Sequence, residues 1–514
     1  MASIQWPHEQ LKTAFFSSTS PQYLFCFFLA IIVFKLARAK MKPSLNLPPS
    51  PRKLPIIGNL HQVGTLPFRS FRALSQKHGS LMLLQLGKTP TLVVSSADVV
   101  REIMKTNDVT FSNRPQIAAA KHLLYGCNNI AFASYGESWK QKRKICVRQL
   151  LSPKRVQSFS LIREEEVAEM LNKIREASLS ASSSVNLSEL LNETANNIIS
   201  KCTLGHKYST DDCHIRINEL ARRVMIQLGI VTVGDRFPLL GWVDFLTGQI
   251  QEFKATFGAL DALFDKVIAE HREADHCSTE KDFVDILIQL QEDGMPDSQL
   301  TNDDIKSLLL DMFVAGSDTT TATIEWAIVE LMKNPMKLKK AQEEVRKFVG
   351  HKSKVEENDI NRMDYMKCII KETLRLHPPG PLLVPKETAS SVKLRGYDIP
   401  AKAMVYVNAW AIQRDPELWE RPEEFIPERF DNSQVHFKGQ DFQFIPFGFG
   451  RRACPGMTFG LASIEYVLAN LLYRFNWKLP GSDPSGQDID MSEKYGLVTS
   501  KKVPLHLKPI PFSF

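Results

Sequence analysis

The hydrophobic positions of this chain recur mostly with the period of an α-helix. Apolar residues spaced three and four apart predict helices at residues 163–177, 251–274, 303–333, 335–349, 363–376 and 457–473. Apolar runs at 81–86 and 91–95, separated by a turn at 87–90, predict a short β-hairpin. Proline-rich turns between residues 377 and 400 enclose further short strands. The pattern therefore predicts a mainly α fold with a minor β region.

An uninterrupted apolar run, residues 23–34, lies close to the N-terminus. As a helix it would extend ~18 Å against a hydrocarbon core of ~30 Å, so it must recruit its flanks to cross a bilayer. Lys12 alone precedes the run, whereas Lys35, Arg38, Lys40 and Lys42 follow it. This asymmetry favours a membrane anchor over the alternative, a cleaved signal peptide. We expect residues 1–42 to be a single-pass anchor with a basic flank, and the rest of the chain to face the cytosol.

Residues 43–58 contain prolines at positions 43, 48, 49, 51 and 55, and end in Gly58. Proline removes a backbone donor and clashes with the preceding helical turn, so this segment is predicted to be a stiff, extended hinge. No second linker divides the sequence after Gly58. Residues 59–514 are therefore expected to form one large catalytic domain.

The composition describes a chain that can bury a large core. Its 514 residues are 43% hydrophobic and 24% charged, which excludes a disordered chain and a small disulfide scaffold. The net charge of +7 is spread along the chain, so nucleic acid is not an expected partner. Its 8 cysteines are scattered without a C-x-x-C pair, which argues against a zinc module and a secreted disulfide framework.

The candidate chemistry lies at residues 447–456, FGFGRRACPG, directly before a predicted helix. A thiolate at Cys454 would be stabilised by the helix N-terminus and by backbone N–H groups that glycines bring close to the sulfur, as an iron ligand requires. On its own, a lone cysteine is more commonly a buried, unreactive thiol. A dinucleotide-binding loop does not fit, because the preceding segment contains proline and no acid follows at about twenty residues.

This loop resembles the F-x-x-G-x-R-x-C-x-G signature of the haem-thiolate monooxygenases, the cytochrome P-450 superfamily. Each fixed position is present, at Phe447, Gly450, Arg452, Cys454 and Gly456. Together with the anchor, the hinge and the sequence PERF at 427–430, the chain is similar to the plant microsomal members. The resemblance implies the cytochrome P-450 fold and haem b, with Cys454 as the axial thiolate ligand and Phe447 and Gly448 among the residues that contact the cofactor.

An acid and a base stand three residues apart in the predicted helix 363–376, at Glu372 and Arg375. Such pairs are usually solvated contacts worth about 0.2–0.5 kcal/mol, but the apolar neighbours of this pair favour burial. The resemblance implies that Arg429 completes a triad behind the cysteine loop. Its implied role is folding and haem retention.

The predicted helix 303–333 contains the sequence AGSDTT at 315–320. A glycine inside a helix costs about 1 kcal/mol, so Gly316 indicates either close helix packing or a local opening of the helix that frees a hydroxyl. Cleavage of dioxygen consumes two protons, which a positioned alcohol and an acid can deliver. By resemblance the alcohol is Thr319 and the acid is Asp318.

Trp139 and Arg143 lie four residues apart on one predicted helix face, and both are donors suited to a haem propionate. The resemblance adds Arg114, Arg452 and Lys386. Relatives more often have arginine or histidine at the last position, and lysine lacks the planar fork of arginine, so its contact is the weakest of the set.

The chain has no nicotinamide or flavin fingerprint, so its electrons must come from another protein. A run of cations, Lys140, Lys142, Lys144 and Arg148, is most simply a solvated face, but on the cysteine side of the haem it would steer an acidic flavoprotein. The resemblance names NADPH-cytochrome P-450 reductase as the donor, with cytochrome b5 as a second, and implies the endoplasmic reticulum membrane.

The resemblance also implies which residues line the substrate pocket. They are residues 116–132, Met312, Phe313, Ala315, Leu382, Leu383, Val384, Leu497, Val498 and Thr499. Most of them are apolar, so we expect a lipophilic small molecule. Terpenoids, alkaloids, phenylpropanoids and fatty-acid derivatives all satisfy that description.

The expected function is a monooxygenase of plant specialised metabolism that uses dioxygen and NADPH-derived electrons to hydroxylate, epoxidise or oxidatively couple its substrate. A haem-thiolate isomerase or dehydratase, which needs neither oxygen nor reductase, is one alternative. A haem-binding carrier or sensor is another. Thr319 and Asp318 argue against both alternatives, since neither has a use for a proton relay.

Overall fold

A computed structural model describes Cys26 and residues 45–512, with gaps at 180–183, 207–216, 274–280, 295–299 and 481–488. Apart from Cys26, the anchor predicted at 1–42 lies outside the described residues, as do Cys213 and Cys277. Within the described ranges no single helix has the length and hydropathy of a membrane span. A pair bent by 103°, Glu219–Arg236 with Pro238–Leu246, reaches that length and composition only when taken together.

The described chain is mainly helical. Its α-helices are α1 (Pro67–His78), α2 (Ala97–Thr106), α3 (Ala118–Leu123), α4 (Glu137–Ile145), α5 (Pro153–Ser158), α6 (Ser160–Ser178), α7 (Leu187–Leu204), α8 (Ile217–Leu228), α9 (Val233–Arg236), α10 (Trp242–Leu246), α11 (Gln249–Glu273), α12 (Phe283–Glu292), α13 (Asn302–Gly316), α14 (Asp318–Lys333), α15 (Pro335–Val349), α16 (Glu357–Ile360), α17 (Asp364–Leu376), α18 (Ala409–Ile412) and α19 (Met457–Arg474). A π-helical turn, Cys146–Leu150, continues α4. Short 3-10 turns occur at Leu60–Gln62, Pro238–Leu240, Pro427–Phe430 and Gly450–Arg452.

The strands are short and form small sheets. They are β1 (Leu81–Leu86), β2 (Thr89–Val94), β3 (Val185–Asn186), β4 (Lys386–Glu387), β5 (Val392–Leu394), β6 (Tyr397–Ile399), β7 (Met404–Val407), β8 (Phe475–Lys478), β9 (Glu493–Lys494), β10 (Ser500–Lys501) and β11 (His506–Pro511). One sheet has the order β1-β2-β7-β4, in which only β2 and β7 run parallel. A second has the order β3-β11-β8, and β5-β6 and β9-β10 form separate pairs. The predicted fold class, mainly α with a minor β region, is confirmed.

The element boundaries show where local sequence signals were sufficient. The helix predicted at 335–349 is α15, whose first residue is a proline, a residue well suited to that position. The predicted turn at 87–90 is wrong, because β2 already begins at Thr89. Gly87 has a φ of +65°, which permits a two-residue turn and leaves Leu86 paired with Thr89. The single helix predicted at 303–333 is also wrong, since Ser317 separates α13 from α14.

Helix α14 lies at the centre of the fold. Every side chain from Thr320 to Met332 is buried, and Trp326 stacks on His377 at 4.1 Å with an interplanar angle of 3°. Helices α7, α17 and α19 pack against α14. The core therefore brings together the helix with Asp318 and Thr319, the helix with Glu372 and the helix that follows Cys454.

Residues 45–58 run in non-helical form against the first sheet. Leu83 donates its backbone N–H to Pro49 O at 3.0 Å, and Gly58 is bridged to Leu86. Pro48 and Pro51 are buried. This part of the proline-rich segment packs on the body, and its predicted role as a hinge to a membrane anchor stays a prediction.

A histidine ion pair joins the end of α11 to the start of α12 and predicts a pH-dependent stability. His271 Nε2 lies 2.9 Å from Asp282 Oδ2. Burial lowers the pKa of His271, but the hydrogen bond and charge of Asp282 outweigh it and raise that pKa to about 9. Because the folded pKa exceeds the unfolded value, the pair stabilises the fold fully below about pH 6.5 and loses its effect as the pH rises through about 9.

We expect His271→Gln to lower the free energy of unfolding by about 1.5–3 kcal/mol at pH 6, the usual contribution of a hydrogen bond to a charged group. The deficit should shrink toward pH 9 in urea unfolding followed by circular dichroism. His61→Gln, which removes an exposed histidine, is the matched control. A deficit that does not change between pH 6 and pH 9 would contradict the assignment.

Candidate active site

Cys454 sits where the 3-10 turn Gly450–Arg452 leads into α19. Gly448 and Gly450 have φ values of +73° and +65°, a backbone region that glycine enters at no steric cost. Cys454 N–H donates to Phe447 O at 2.8 Å, so the loop folds back on itself. These contacts fix the position of the thiol at the N-terminus of α19.

The surroundings of the Cys454 thiol shift its pKa in opposing directions. Burial raises its pKa, whereas the Gly456 backbone N–H and the positive charge of Arg143 lower it. The side chain nevertheless keeps accessible surface, unlike the buried cysteines Cys146 and Cys202. A thiol that is surrounded by protein yet accessible, with a backbone donor beside it, suits a metal ligand better than an inert core residue.

Three of the predicted propionate contacts are buried cations. Arg114 donates to Ala131 O at 2.9 Å and Pro385 O at 2.8 Å. Arg452 donates to Ser112 O, Ile130 O and Ala133 O at 2.5–3.0 Å. Lys386 Nζ has no hydrogen-bond partner in the described ranges and lies 4.8 Å from the ring of Phe449.

The pKa values of these cations reflect charge crowding. Burial and Arg452 lower the pKa of Arg114 to about 9, and burial and Arg143 lower that of Arg452 to about 10. Burial and Arg114 lower the pKa of Lys386 to about 7, against an opposing effect of Asp108. No carboxylate of the described chain forms an ion pair with the three, and Asp108 pairs with Arg451 instead. Buried like charges need an anion, so the two carboxylates of a haem fit this cluster.

Trp139 and Arg143 occupy the helix face expected of them. Trp139 is buried, and its ring centroid lies 4.1 Å from Arg452 Cζ. Its only N–H, Nε1, donates to Ile130 O at 3.0 Å and is therefore already engaged. Arg143 is half-buried without an ion pair to any described residue, and burial lowers its pKa while Cys454 raises it.

Gly316, the last residue of α13, is both closely packed and next to a break in the helix. A Cβ at Gly316 would lie 2.4 Å from Ile199 Cδ1, so α7 packs closely there, and the helix also breaks at Ser317. Contrary to the expectation of a freed hydroxyl, Thr319 Oγ1 donates to Ala315 O at 2.7 Å. The hydroxyl is half-buried and keeps its lone pairs as acceptors.

Asp318 turns toward a polar cleft between α7, α8 and α14. Its Oδ1 accepts from Asn192 Nδ2 at 3.3 Å, and Asn192 Oδ1 accepts from Asn196 Nδ2 at 2.7 Å. Burial raises the pKa of Asp318, while Asn192 and Arg222 lower it. Asp318, Asn192 and Arg222 all line the cleft. Sequence reasoning missed the role of the two asparagines, because their i,i+4 spacing has meaning only when α7 lies beside α14.

The triad residues meet in the core. Glu372 and Arg375 are both 0% exposed and share two hydrogen bonds of 2.7 and 2.8 Å. Arg429 Nε donates to Glu372 Oε1 at 3.0 Å. Arg375 also donates to the backbone oxygens of Gln413, Pro422 and Glu424. The three side chains thus attach the segment before the cysteine loop to α17.

The residues predicted to line the substrate pocket do not all lie in one cavity. Leu382, Leu383 and Leu497 line one largely apolar cavity, together with Ile117 and Phe132 of the range 116–132. Val498 borders the polar cleft instead, and Thr499 is buried with its N–H on Pro379 O. Met312 and Phe313 are buried in the core and Val384 packs against it, whereas Ala315 is exposed near the C-terminal end of α13. The cavity also includes Leu228, Arg236, Met404, Tyr406 and Tyr495, which the sequence did not indicate.

The basic face of α4 is smaller than the sequence indicated. Lys142 is buried and pairs with Asp304 at 2.7 Å, so it does not belong to this surface. Its side chain turns inward because the Asn128 oxygens also accept from it. Lys140, Lys144 and Arg148 remain exposed.

Comparison with known proteins agrees with this geometry. The model of the family described as Cytochrome P450 matches residues 48–507. The chain is 50% identical to phenylacetaldehyde oxime monooxygenase of Prunus mume over 99% of this chain and 98% of the relative. It is 45% identical to strychnine-11-hydroxylase of Strychnos nux-vomica over 95% of this chain and 96% of the relative.

The fold is likewise similar to a solved structure. A zebra fish cytochrome P450 with progesterone matches with a TM-score of 0.75 and 25% identity, covering 87% of this chain and 99% of that one. The predicted cytochrome P-450 fold is therefore confirmed. The match of the family model over most of the sequence, and the plant relatives that align over nearly their whole length, show that the chain belongs to the cytochrome P450 family as one of its plant members.

Proposed function

We propose that this cytochrome P450 monooxygenase is anchored in the endoplasmic reticulum membrane, takes electrons from NADPH-cytochrome P450 reductase and oxidises a lipophilic small molecule of plant specialised metabolism. Its enzyme class follows from the family and from relatives named as monooxygenases. The observation that carries the proposal is an accessible Cys454 thiol in a protein interior that also buries three cations without an anion.

Haem b with an axial cysteine thiolate is the defining cofactor of the family, and when bound it supplies the activation of dioxygen. Cys454 would be its ligand, with the Gly456 N–H directed at the sulfur. Arg114, Arg452 and Lys386 would hold its carboxylates, because charge-assisted hydrogen bonds would satisfy the donors that the protein leaves open.

Proton delivery is assigned to Thr319 and Asp318. The hydroxyl proton of Thr319 is committed to Ala315 O, so the oxygen of Thr319 presents only lone pairs and would accept a hydrogen bond from a bound ligand. Burial raises the pKa of Asp318 above its usual value, which makes the protonated form of the carboxyl easier to reach. Its position on the polar cleft would let it take protons from water and pass them toward Thr319.

The relatives and the cavity support a lipophilic substrate. The names of two relatives refer to phenylacetaldehyde oxime and to strychnine. The cavity here is lined mainly by leucine, isoleucine, valine and proline side chains. Such a lining binds small molecules by burial of apolar area and orients them with a few polar groups.

A surface of exposed apolar residues supports the membrane location. It comprises Leu239, Leu240, Trp242, Phe245 and Leu246 after α9, with Leu239 91% exposed and Trp242 58% exposed. Ile56 and Ile57 lie near this surface, because the β1–β2 turn contacts both segments. Gly87 N–H donates to Ile57 O, and Lys88 N–H donates to Arg236 O. Large exposed apolar patches mark interaction sites, and this one lies beside the N-terminal proline-rich segment.

Exposed cations on α4 and the turn that continues it support the proposed electron donor. Lys140 and Lys144 lie on the helix that presents Arg143 toward Cys454, and Arg148 lies on the π-helical turn that continues it. A positive face at this position would steer an acidic flavoprotein to the thiolate side of the haem.

The ligand assignment is tested by Cys454→Ala in the full chain. The variant should lose the thiolate-type carbonyl difference spectrum and all oxidation of substrate in the presence of reductase and NADPH, because alanine offers no electron pair to iron. Cys146→Ala, which removes a buried cysteine near Arg143, should keep both. Retention of the spectrum by the Cys454 variant would contradict the assignment of Cys454 as the iron ligand. Formation of product without NADPH would favour an isomerase.

Replacing Thr319 by alanine tests the proton route. We expect unchanged carbonyl spectrum and substrate binding, with the fraction of NADPH that appears in product falling about 10- to 100-fold and hydrogen peroxide rising in its place. Thr320→Ala is the matched control, since Thr320 Oγ1 makes the same kind of bond, to Gly316 O at 2.8 Å, but is buried. Equal coupling in the two variants would count against the role of Thr319.

The apolar surface can be tested after deletion of residues 1–40. We expect the shortened protein to co-float with phospholipid vesicles, and the added substitutions Trp242→Ser and Leu246→Ser to lower the bound fraction about tenfold or more by removing buried apolar area. Leu161→Ser, at an exposed leucine on α6, is the control. Release by the deletion alone, or by the control alone, would refute the surface.

A further inference from the structure

The apolar cavity contains a buried cation that no described residue neutralises. Arg236, the last residue of α9, is only 8% exposed and lines the cavity. Its Nη1 lies 3.9 Å from Met404 Sδ, and its Nε has no hydrogen-bond partner. Arginine head groups without a partner normally reach for water, so a guanidinium kept inside an apolar cavity is unusual.

The adjacent carboxylate does not supply the missing charge. Asp235 Oδ1 accepts from Ala118 N–H at 2.9 Å, and Oδ2 accepts from Thr232 N–H at 3.2 Å in the capping box of α9. No ion pair joins Asp235 or any other acid of the described ranges to Arg236. Asp235 lines the same cavity, but both of its oxygens accept from backbone N–H groups, and the guanidinium is left without an ion pair to a described residue.

The backbone that carries Arg236 is fixed from several sides. Its carbonyl oxygen accepts from Lys88 N–H at 2.8 Å, and a Cβ at Gly87 would come within 2.6 Å of that oxygen. Thr89 Oγ1 donates to Asp235 O at 3.0 Å, and Asp244 accepts from Val233 N–H and Gly234 N–H. The β1–β2 turn and α10 therefore hold α9 in place, so Arg236 is positioned before any ligand arrives.

Two tyrosines add neutral donors to the same cavity. Tyr406 of β7 and Tyr495 both line it, and neither hydroxyl is hydrogen-bonded to a residue that the structure describes. Burial raises the pKa of Tyr495, and Arg236 is close enough to lower it, so the hydroxyl stays protonated beside the guanidinium. Apart from the Asp235 carboxylate, the remaining walls, including Phe132, Leu382 and Leu497, are apolar or backbone.

A cavity with apolar walls, one fixed guanidinium and two unpaired hydroxyls is complementary to an apolar molecule with an anionic oxygen group. Leaving a buried charge unpaired is costly, and a bound carboxylate would recover that cost through charge-assisted hydrogen bonds. We propose that Arg236, assisted by Tyr406 and Tyr495, forms a substrate subsite that recognises a carboxylate at one end of a lipophilic molecule. This inference rests on the proposed function, since it narrows the substrate class of the same enzyme.

The subsite is tested by binding of matched acids and esters to the haem-loaded full-length protein. The probes are ω-phenylalkanoic acids from phenylacetate to 8-phenyloctanoate, each with its methyl ester, at pH 7.5, where the acids are ionised. Dissociation constants come from equilibrium dialysis and from the low-spin to high-spin difference spectrum. At one or more chain lengths the acid should bind about 10- to 100-fold more tightly than its ester.

Arg236→Gln should abolish this preference by weakening the acid about 10- to 100-fold while leaving the ester within about twofold. Arg223→Gln removes a charge from an exposed ion pair on α8 and should change neither ligand. Tyr495→Phe, which deletes one hydroxyl, provides a second test if the Arg236 variant does not fold, and should weaken the acid alone, several-fold.

Equal affinity for acids and esters at all chain lengths in the wild type, or a preference that survives Arg236→Gln, would overturn the subsite. Failure of the proposed function would look different. In that case dialysis would still report the acid preference, whereas reductase and NADPH would give no oxidised product from any bound probe.

Discussion

Arg452 links the cysteine loop to the segment on the opposite side of the site, and the arrangement of the site depends on this contact. Its guanidinium donates to the carbonyl oxygens of Ser112, Ile130 and Ala133. Arg114 donates to Ala131 O in the same segment, and Asp311 of α13 accepts from Ile130 N–H at 2.6 Å. The backbone at 128–133 is therefore held between buried cations and a half-buried acid, which keep it beside Cys454 without regular secondary structure.

A second buried network supports the cysteine loop from behind. Glu372 is shared by Arg375 and Arg429, and Arg375 also holds three backbone oxygens of the segment that leads to the loop. Removing one member of such a network leaves a charge uncompensated at a cost of about 3–5 kcal/mol. We assign this network to folding rather than to chemistry, because its charged groups are satisfied internally, whereas those of Lys386 and Arg236 are not.

The sequence predicted the elements that local signals encode and failed where tertiary contacts decide. The helix period, the glycine-rich cysteine loop and the Glu372–Arg375 spacing can all be read along the chain. Gly316 indicated either close packing or a local opening of the helix, and only the structure shows both the approach of Ile199 of α7 and the break at Ser317. Asn192, Asp311 and Arg236 could not be predicted, because their partners are distant in sequence. Lys142 was misplaced for the same reason, since its burial requires the turn at Asn128.

The cation cluster and the wall of the apolar cavity share one stretch of chain. Ile117 and Phe132, which line the apolar cavity, lie in the segment that Arg114 and Arg452 hold by its carbonyl oxygens. Like-charge repulsion opposes the close approach that gives this segment its shape, and the carboxylates of a bound haem would neutralise these cations. The shape of this cavity wall would therefore depend on occupation of the cofactor site. The charge of Arg236 is separate from this coupling, because α9 is fixed by the β1–β2 turn and α10 rather than by the cation cluster.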